Sequence, residues 1–188
     1  MSKVEDILKL AKQYENYTAE NLSKVVKIKS LSKEEKEVNE TVKNIMEEAG
    51  FDEVRIDGLG NVIGRIGNGE KVIAIDGHID TVDIGNIDNW NFDPLGGEIK
   101  DGFVHGRGTV DQEGGPIAAI TAGKILKEVG FPDDVTLLVT ATVMEEDCDG
   151  LCWKYIVEEE KIKPDCVVIT EPTNLNIYRG HRGRMEIA

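Results

Sequence analysis

The sequence predicts an α/β fold of three layers, in which a mostly parallel or mixed central sheet is flanked by helices. Three apolar runs without helical spacing lie at residues 72–75, 135–143 and 166–170. Such runs are typical of strands that are buried on both faces of a sheet. Segments with apolar residues at helical spacing separate them, and strands that alternate with helices favour a largely parallel sheet.

Three helices are predicted before residue 50. Apolar side chains recur at helical spacing over residues 4–28, and a break near residues 16–18 divides this stretch into two short helices. Ser32 and Glu35 have the spacing of a capping box, in which both side chains bind free amides at a helix start. Apolar positions over residues 38–49 then predict the buried face of the third helix.

The remaining elements follow from turn residues and short apolar runs. In chain order they are strands at 54–56 and 61–66, a hairpin at 98–104, helices over 116–130 and 150–161, and strands at 176–178 and 184–187. Three of these predictions have a specific local signal. The hairpin turns at Asp101–Gly102, Pro116 suits a first helical turn, and Gly130 follows the helix end.

The charge balance excludes several classes of partner. The chain has 22 Lys and Arg against 36 Asp and Glu, which gives a net charge of -14 over 188 residues. Nucleic acids and anionic membranes select basic faces, so neither is expected as a partner. The three cysteines are too few for a disulfide framework, and no segment has the pattern of a signal peptide or membrane span. These features predict one core and a cytoplasmic location.

Acidic residues follow each of the three apolar runs. One acid after a strand is as easily a helix cap as a ligand, but several that converge on one edge of a sheet predict a metal site. The carboxyl ends of parallel strands meet at such an edge. A histidine with several carboxylates suits zinc, manganese or cobalt. The residues concerned are His78 and Asp80, Glu145 and Glu146, Glu171, and Asp111 before a predicted helix.

Four motifs, HIDTV, GRGTVDQEGG, MEED and ITEPT, occur in this order. Together they resemble the two-zinc metallohydrolase family of aminoacylases, acetylornithine deacetylases, succinyl-diaminopimelate desuccinylases and carboxypeptidase-G-type peptidases. The resemblance implies the phosphorylase/hydrolase-like catalytic domain of zinc peptidases, in incomplete form. Residues 1–179 would be its N-terminal portion, and residues 180–188 would begin a lid or dimerisation domain. In the family, a C-terminal segment supplies the histidine of the second metal.

The resemblance also implies a role for each site residue. The metal ligands would be His78 and Glu171 on one zinc, Glu146 on the other and Asp111 between both. Asp80 would orient His78, and Glu145 would be the general acid/base. Two metals polarise a carbonyl and lower the pKa of a bound water, while a carboxylate that is not a ligand takes the proton of that water.

The expected activity is therefore zinc-dependent hydrolysis of an amide bond in a small N-acyl amino acid or peptide, by a deacylase or metallopeptidase. Cobalt or manganese are alternatives to zinc, and a homodimer is expected for the full-length protein. The competing hypothesis is a non-catalytic fragment or remnant with an incomplete metal site. Nucleotide binding is disfavoured because Gly106, Gly108 and Gly114 do not form a G-x-G-x-x-G motif, and no serine lies in a G-x-S-x-G elbow.

Several residues depart from the family pattern or could be mistaken for metal ligands. Glu113 stands where a basic residue is common, and His105 stands where an aromatic residue is usual and is predicted to be structural. His181 is predicted to be a hinge or surface residue rather than the missing ligand. Cys148 and Cys152 are predicted to be reduced thiols, since no further pair would complete a zinc site.

Overall fold

A mixed sheet of five strands lies at the centre of the molecule, in the order β1-β2-β6-β3-β7. The computed structural model describes residues 3–148 and 150–180. The strands of the sheet are β1 Glu53–Ile56, β2 Val62–Gly67, β3 Lys71–His78, β6 Val135–Thr142 and β7 Cys166–Ile169. A separate hairpin consists of β4 Glu98–Lys100 and β5 Phe103–His105.

Strand directions in the sheet place three carboxyl ends side by side. β3 pairs in parallel with β6 and with β7. β2 pairs antiparallel with β1 and β6, so it runs against the other four strands. The register sets His78 opposite Thr142 and Asp76 opposite Ile169. The predicted α/β class is confirmed, and the sheet is of the mixed kind.

Helices cover both faces of the sheet. The helices are α1 Lys3–Gln13, α2 Glu15–Val26, α3 Lys36–Glu48, α4 Gly114–Glu128 and α5 Leu151–Glu158, with a short 3-10 helix at Ile87–Asn89. On one face, buried Met46 of α3 and Ile120 of α4 pack in one cluster with Val139. On the other, Ile156 of α5 packs with Leu138. Neighbouring residues of a strand point to opposite faces, so β6 contributes side chains to both cores. The three-layer prediction is confirmed.

Strand β7 lies at the edge of the sheet, which corrects the prediction of a strand buried on both faces. Val167, Val168 and Ile169 are 38%, 51% and 57% exposed. Among the described residues, β7 has a hydrogen-bonded neighbour on the β3 side alone. An apolar run without alternation cannot distinguish a central strand from an edge strand, because both satisfy the same pattern.

The strand predicted at residues 176–178 is also wrong. The chain instead closes a turn in which the amide of Asn176 donates to the carbonyl of Thr173 over 3.0 Å, and the Thr173 hydroxyl donates to the Asn176 carbonyl over 2.7 Å. These local bonds compete with strand pairing. The predicted strand at 184–187, His181 and nearly all of the predicted lid segment lie outside the described residues.

The predicted capping box at the start of α3 is wrong as well. Glu35 directly precedes the helix, and its side chain makes no capping hydrogen bond. The Ser32 hydroxyl donates to the Asp80 carboxylate over 2.6 Å, and Glu35 accepts from the amide of Met144 over 3.0 Å. Both side chains therefore bind groups near the end of β3 and β6 rather than the free amides of their own helix.

The described part of the chain contains no helix of the length and apolarity that crossing a membrane requires. The three cysteines are free thiols in different surroundings: Cys152 is buried, Cys148 is half-buried and Cys166 is exposed on β7. Burial raises the pKa of the Cys152 thiol to about 11.

The difference in exposure predicts the order of thiol modification in the 188-residue chain. Cys166 should react with Ellman's reagent in the native protein, whereas Cys152 should react only after unfolding, because the reactive thiolate is scarce and inaccessible. The rate of each thiol is measured by absorbance with and without urea. A Cys166→Ser variant should lose the fast phase, and an undiminished fast phase in this variant would contradict the edge position of β7.

Candidate metal centre and active site

The candidate site forms where the start of α4 and the end of β7 approach the end of β3. This approach requires a glycine at position 77. A Cβ on Gly77 would lie 2.5 Å from both Gln112 Oε1 and Thr170 Oγ1 and 2.7 Å from Pro116 Cδ. Because contacts that short do not occur, any side chain here would push apart the segments that carry Asp111 and Glu171.

His78 ends β3 and is 2% exposed. Its Nδ1 lies 2.8 Å from the backbone carbonyl of Asp80, which assigns the proton to Nδ1. This leaves Nε2 facing the carboxylates, with Asp111 Oδ1 at 3.1 Å, Glu145 Oε2 at 3.8 Å and Glu171 Oε1 at 4.0 Å. A histidine held this way through one nitrogen presents the other for metal binding.

His78, Asp111 and Glu146 each offer a ligand atom, and these atoms lie within 4.8 Å of one another. Ligand atoms of one tetrahedral zinc ion lie on the order of 3.3 Å apart, from metal–ligand bonds of about 2.0–2.2 Å. The 3.1 Å between His78 and Asp111 is close to that spacing. The donor set of one imidazole with several carboxylates therefore fits a divalent cation of the zinc, manganese or cobalt type.

The charges of the site also favour a cation. Burial raises the pKa of Glu146 and of Glu171; the positive charge of His78 opposes this, and neighbouring Asp111 and Glu145 add to it. Burial lowers the pKa of His78, but the hydrogen bond and charge of Asp80 outweigh it and raise the pKa to about 10. Clustered carboxylates repel one another, and a divalent cation among them removes that repulsion.

Asp80 is fully buried, and its carboxylate binds the loop that carries Glu145 and Glu146, which we call the adjacent acids. Its Oδ1 accepts from the amide of Glu145 over 3.0 Å, and its Oδ2 accepts from the amide of Glu146 over 3.1 Å and from Ser32. The carboxylate lies 3.5 Å from His78 Nδ1, farther than the carbonyl of the same residue. Burial opposes ionisation, yet His78 and the donors lower the pKa of Asp80.

The structure adds residues that sequence reasoning missed. Glu35 and Asn61 accept hydrogen bonds from the amides of Met144 and Val143, directly before the adjacent acids. Gln112 lies behind Asp111, with its Oε1 2.8 Å from the Thr170 hydroxyl. Glu35 and Asn61 have no local sequence signal for a site, because each acts on a segment that is distant in the chain, whereas Gln112 lies within the GRGTVDQEGG motif.

Glu113, which stands where the family commonly has a basic residue, is buried, with an exposed fraction of 1%. Its Oε1 lies 3.4 Å from the Ser30 hydroxyl. Burial raises the pKa of its carboxyl to about 8, against the lowering effects of Ser30 and His78. The ring centroid of His105 lies 5.0 Å from that of Phe92, and its structural role remains a prediction.

The sequence profile described as Peptidase family M20/M25/M40 matches residues 74–181. The chain belongs to this family. Over 181 residues it is 55% identical to the uncharacterized protein YgeY of Escherichia coli, which covers 96% of this chain and 45% of YgeY. A probable succinyl-diaminopimelate desuccinylase of Staphylococcus epidermidis is 34% identical over 169 residues, 87% of this chain and 41% of the relative. The chain thus spans about half the length of these curated relatives.

Two solved peptidase structures share the fold. The di-peptidase Dug1p of Saccharomyces cerevisiae matches with a TM-score of 0.72 and 20% identity, over 91% of this chain and 42% of that one. The YXEP protein of Bacillus subtilis, described as a dinuclear metal binding peptidase from the M20 family, matches with a TM-score of 0.63 and 19% identity, over 84% and 43%. The resemblance to this family and the predicted three-layer fold are confirmed.

The contact between Ser32 and Asp80 predicts an unequal cost for two serine substitutions. Ser32→Ala removes a bond to a buried charge, which is typically worth about 1.5–3 kcal/mol. Ser23→Ala is the matched control, since its hydroxyl donates to the neutral carbonyl of Gly97 over 2.6 Å, a bond worth about 0.5–1.5 kcal/mol. Urea unfolding measures the loss of stability in both variants. A Ser32→Ala cost at or below that of Ser23→Ala would contradict a strong bond between Ser32 and the charge of Asp80.

Proposed function

We propose that the protein hydrolyses an amide bond in a small N-acyl amino acid or peptide, with bound zinc ions as cofactor. The observation that carries this proposal is the convergence of Asp111, Glu145 and Glu171 on His78 Nε2 within 4.0 Å. It occurs at the carboxyl edge of the sheet in a chain of the peptidase M20/M25/M40 family. Cobalt and manganese are alternative ions because the oxygen-rich donor set accepts them.

The proposed ligands are divided between two ions. His78 and Glu171 would hold one, Glu146 would hold the second, and Asp111 would bridge them. Asp111 suits the bridging role because its side chain is 55% exposed, with one oxygen directed to His78. The description of the Bacillus subtilis relative as a dinuclear metal binding peptidase supports two ions per complete site.

When bound, the ions would supply a polarised substrate carbonyl and a water of lowered pKa. The chain's own residues do the rest. The Nδ1 of His78 stays fixed on the Asp80 carbonyl and keeps Nε2 directed into the site. Glu145 accepts the proton of the attacking water on its carboxylate and delivers it to the leaving nitrogen. Its neighbour Glu146 remains a ligand.

The names of two relatives support the substrate class. One is a probable desuccinylase of an acylated amino acid and the other is a di-peptidase. Both reactions break an amide bond close to a free carboxylate in a small molecule. We further propose a homodimer, with residues 1–179 as the N-terminal portion of the catalytic domain and residues 180–188 as the start of the lid or dimerisation domain.

A second candidate is a metal-binding but inactive chain. The observation that favours it is that His78 is the one histidine of the described cluster. The second ion then has two carboxylate ligands, Asp111 and Glu146, where a stable site has three or four protein ligands. Metal content measured together with turnover separates the two candidates.

The adjacent acids should respond differently to the same substitution. In the zinc-loaded protein, Glu145→Gln should lower kcat by about 100–10,000-fold, the usual contribution of a general acid/base, while bound zinc is unchanged. Glu146→Gln should lower zinc content instead, because an amide is a poorer ligand than a carboxylate. Turnover of N-acyl amino acids and dipeptides is measured beside elemental analysis. Equal zinc loss in both variants would overturn the division of roles.

Metal removal tests the cofactor. Dialysis against a chelator should abolish hydrolysis, and addition of zinc, cobalt or manganese should restore it. In the 188-residue chain we expect about one tightly bound ion, since only one ion has three proposed protein ligands. A His78→Ala variant should retain none. Full activity after complete removal of metal would contradict the proposal, and one bound ion without turnover would favour the second candidate.

A further inference from the structure

The loop after β6 makes an unusual set of hydrogen bonds. Four consecutive amides, from Val143 to Glu146, each donate to a side-chain oxygen. The acceptors, in chain order of the donors, are Asn61 Oδ1 at 3.1 Å, Glu35 Oε1 at 3.0 Å, Asp80 Oδ1 at 3.0 Å and Asp80 Oδ2 at 3.1 Å. We call Asn61, Glu35 and Asp80 the amide clamp. Its three members are 0%, 5% and 0% exposed.

From this geometry we infer that Glu35 and Asn61 are positioning residues, which together with Asp80 fix the directions of Glu145 and Glu146. The inference rests on the proposed function, since it assigns those acids their roles. Each clamp residue comes from a different part of the fold: the turn between β1 and β2, the segment before α3, and the segment after β3. Residues from three separate segments of the chain therefore bind the loop.

The loop requires such restraint for two reasons. Residues 143–148 lie in bends and turns, so neither a helix nor a sheet pairs these amides. In addition, Met144 has a φ of 57°, which lies in the left-handed region that residues other than glycine adopt at a cost in free energy. Such a conformation persists only where its surroundings determine it, and the amide of Met144 is bound by Glu35.

One member of the clamp, Asn61, is itself held in place by further hydrogen bonds. Asn61 donates from Nδ2 to Asp57 Oδ2 over 2.8 Å, which fixes its amide so that Oδ1 faces Val143. Asp57 in turn accepts from the backbone amides of Leu59, Gly60 and Asn61, each over 2.9 Å. A rotation of the loop would break this connected set of bonds, so the backbone positions from which the Glu145 and Glu146 side chains extend are fixed.

Amide hydrogen exchange of the metal-free protein tests the clamp directly. In the unmodified chain, the amides of residues 143–146 should be protected about as well as those of β6, although they lie outside regular structure. Glu35→Met, which has similar volume but no acceptor, should speed exchange at Met144 by at least about tenfold. Glu35→Gln keeps an acceptor and should preserve protection. Fast exchange of these amides in the unmodified chain would overturn the clamp without any variant.

Kinetics of the metal-loaded, full-length protein test positioning. Glu35→Met should lower kcat by about 10–100-fold with KM within about twofold, because a small misplacement of a catalytic group is that costly. Glu35→Gln should restore most of kcat. Val38→Ala is the matched control, since Val38 is buried in α3 and its truncation destabilises the fold without removing a clamp bond.

The outcomes of these experiments separate the positioning role of the clamp from the proposed hydrolytic function. Wild-type kcat in a Glu35→Met variant that has lost protection at Met144 would overturn the positioning role. Equal loss of kcat in Glu35→Gln, or in Val38→Ala, would also overturn it, because charge or stability would then be the cause. Absence of metal-dependent turnover in the unmodified protein would refute the proposed function, whereas amide exchange would still decide whether the clamp holds the loop.

Discussion

The candidate site depends on one buried negative charge, the carboxylate of Asp80. An ionised carboxylate away from water is costly unless donors surround it. Here the hydroxyl of Ser32 and the amides of Glu145 and Glu146 supply three hydrogen bonds. These donors come from the segment before α3 and the loop after β6, while Asp80 follows β3. A single charge thus joins three segments and sets the position of both adjacent acids.

The acids of the site are held together against their own repulsion. No sequence-local force would bring Asp111, Glu145 and Glu171 toward one histidine, since like charges repel, and Asp111 and Glu145 help to raise the pKa of Glu146 and of Glu171. The buried framework beneath them provides that force: the two cores, the close approach at Gly77 and the hydrogen bonds of Gln112 and Thr170. The free energy of folding therefore maintains a cluster of negative charge that a cation would relieve.

Much of the architecture could be predicted from local patterns, because strand ends, helix periods and turn residues are local properties. The hairpin at Asp101–Gly102, the two-helix start and the strand over residues 72–75, which the structure extends to His78, are examples. The grouping of acids at one edge followed from the rule that parallel strands end together. The structure places these acids together, and their roles as ligand, bridge or base remain predictions.

The errors at the predicted capping box and at β7 share one physical cause, which is that pairing across the chain decides which structure a local pattern adopts. Ser32 and Glu35 have the spacing of a helix cap, but a buried carboxylate and an unpaired loop amide are stronger partners than solvated helix amides. The apolar run of β7 carries no mark of its edge position. Glu35 and Asn61 had no signal as site residues, since their partners lie 109 and 82 residues away.

The two edge strands of the sheet, β1 and β7, differ in the charge of their side chains. β1 carries Glu53 and Arg55, which form ion pairs with Arg65 and Glu160 at 3.1 Å and 2.7 Å, and charged side chains discourage a further strand at an edge. β7 has the sequence CVVI, with apolar side chains and no charge. The side chains of β1 therefore disfavour pairing with a further strand, whereas β7 has no charged side chain that would oppose it.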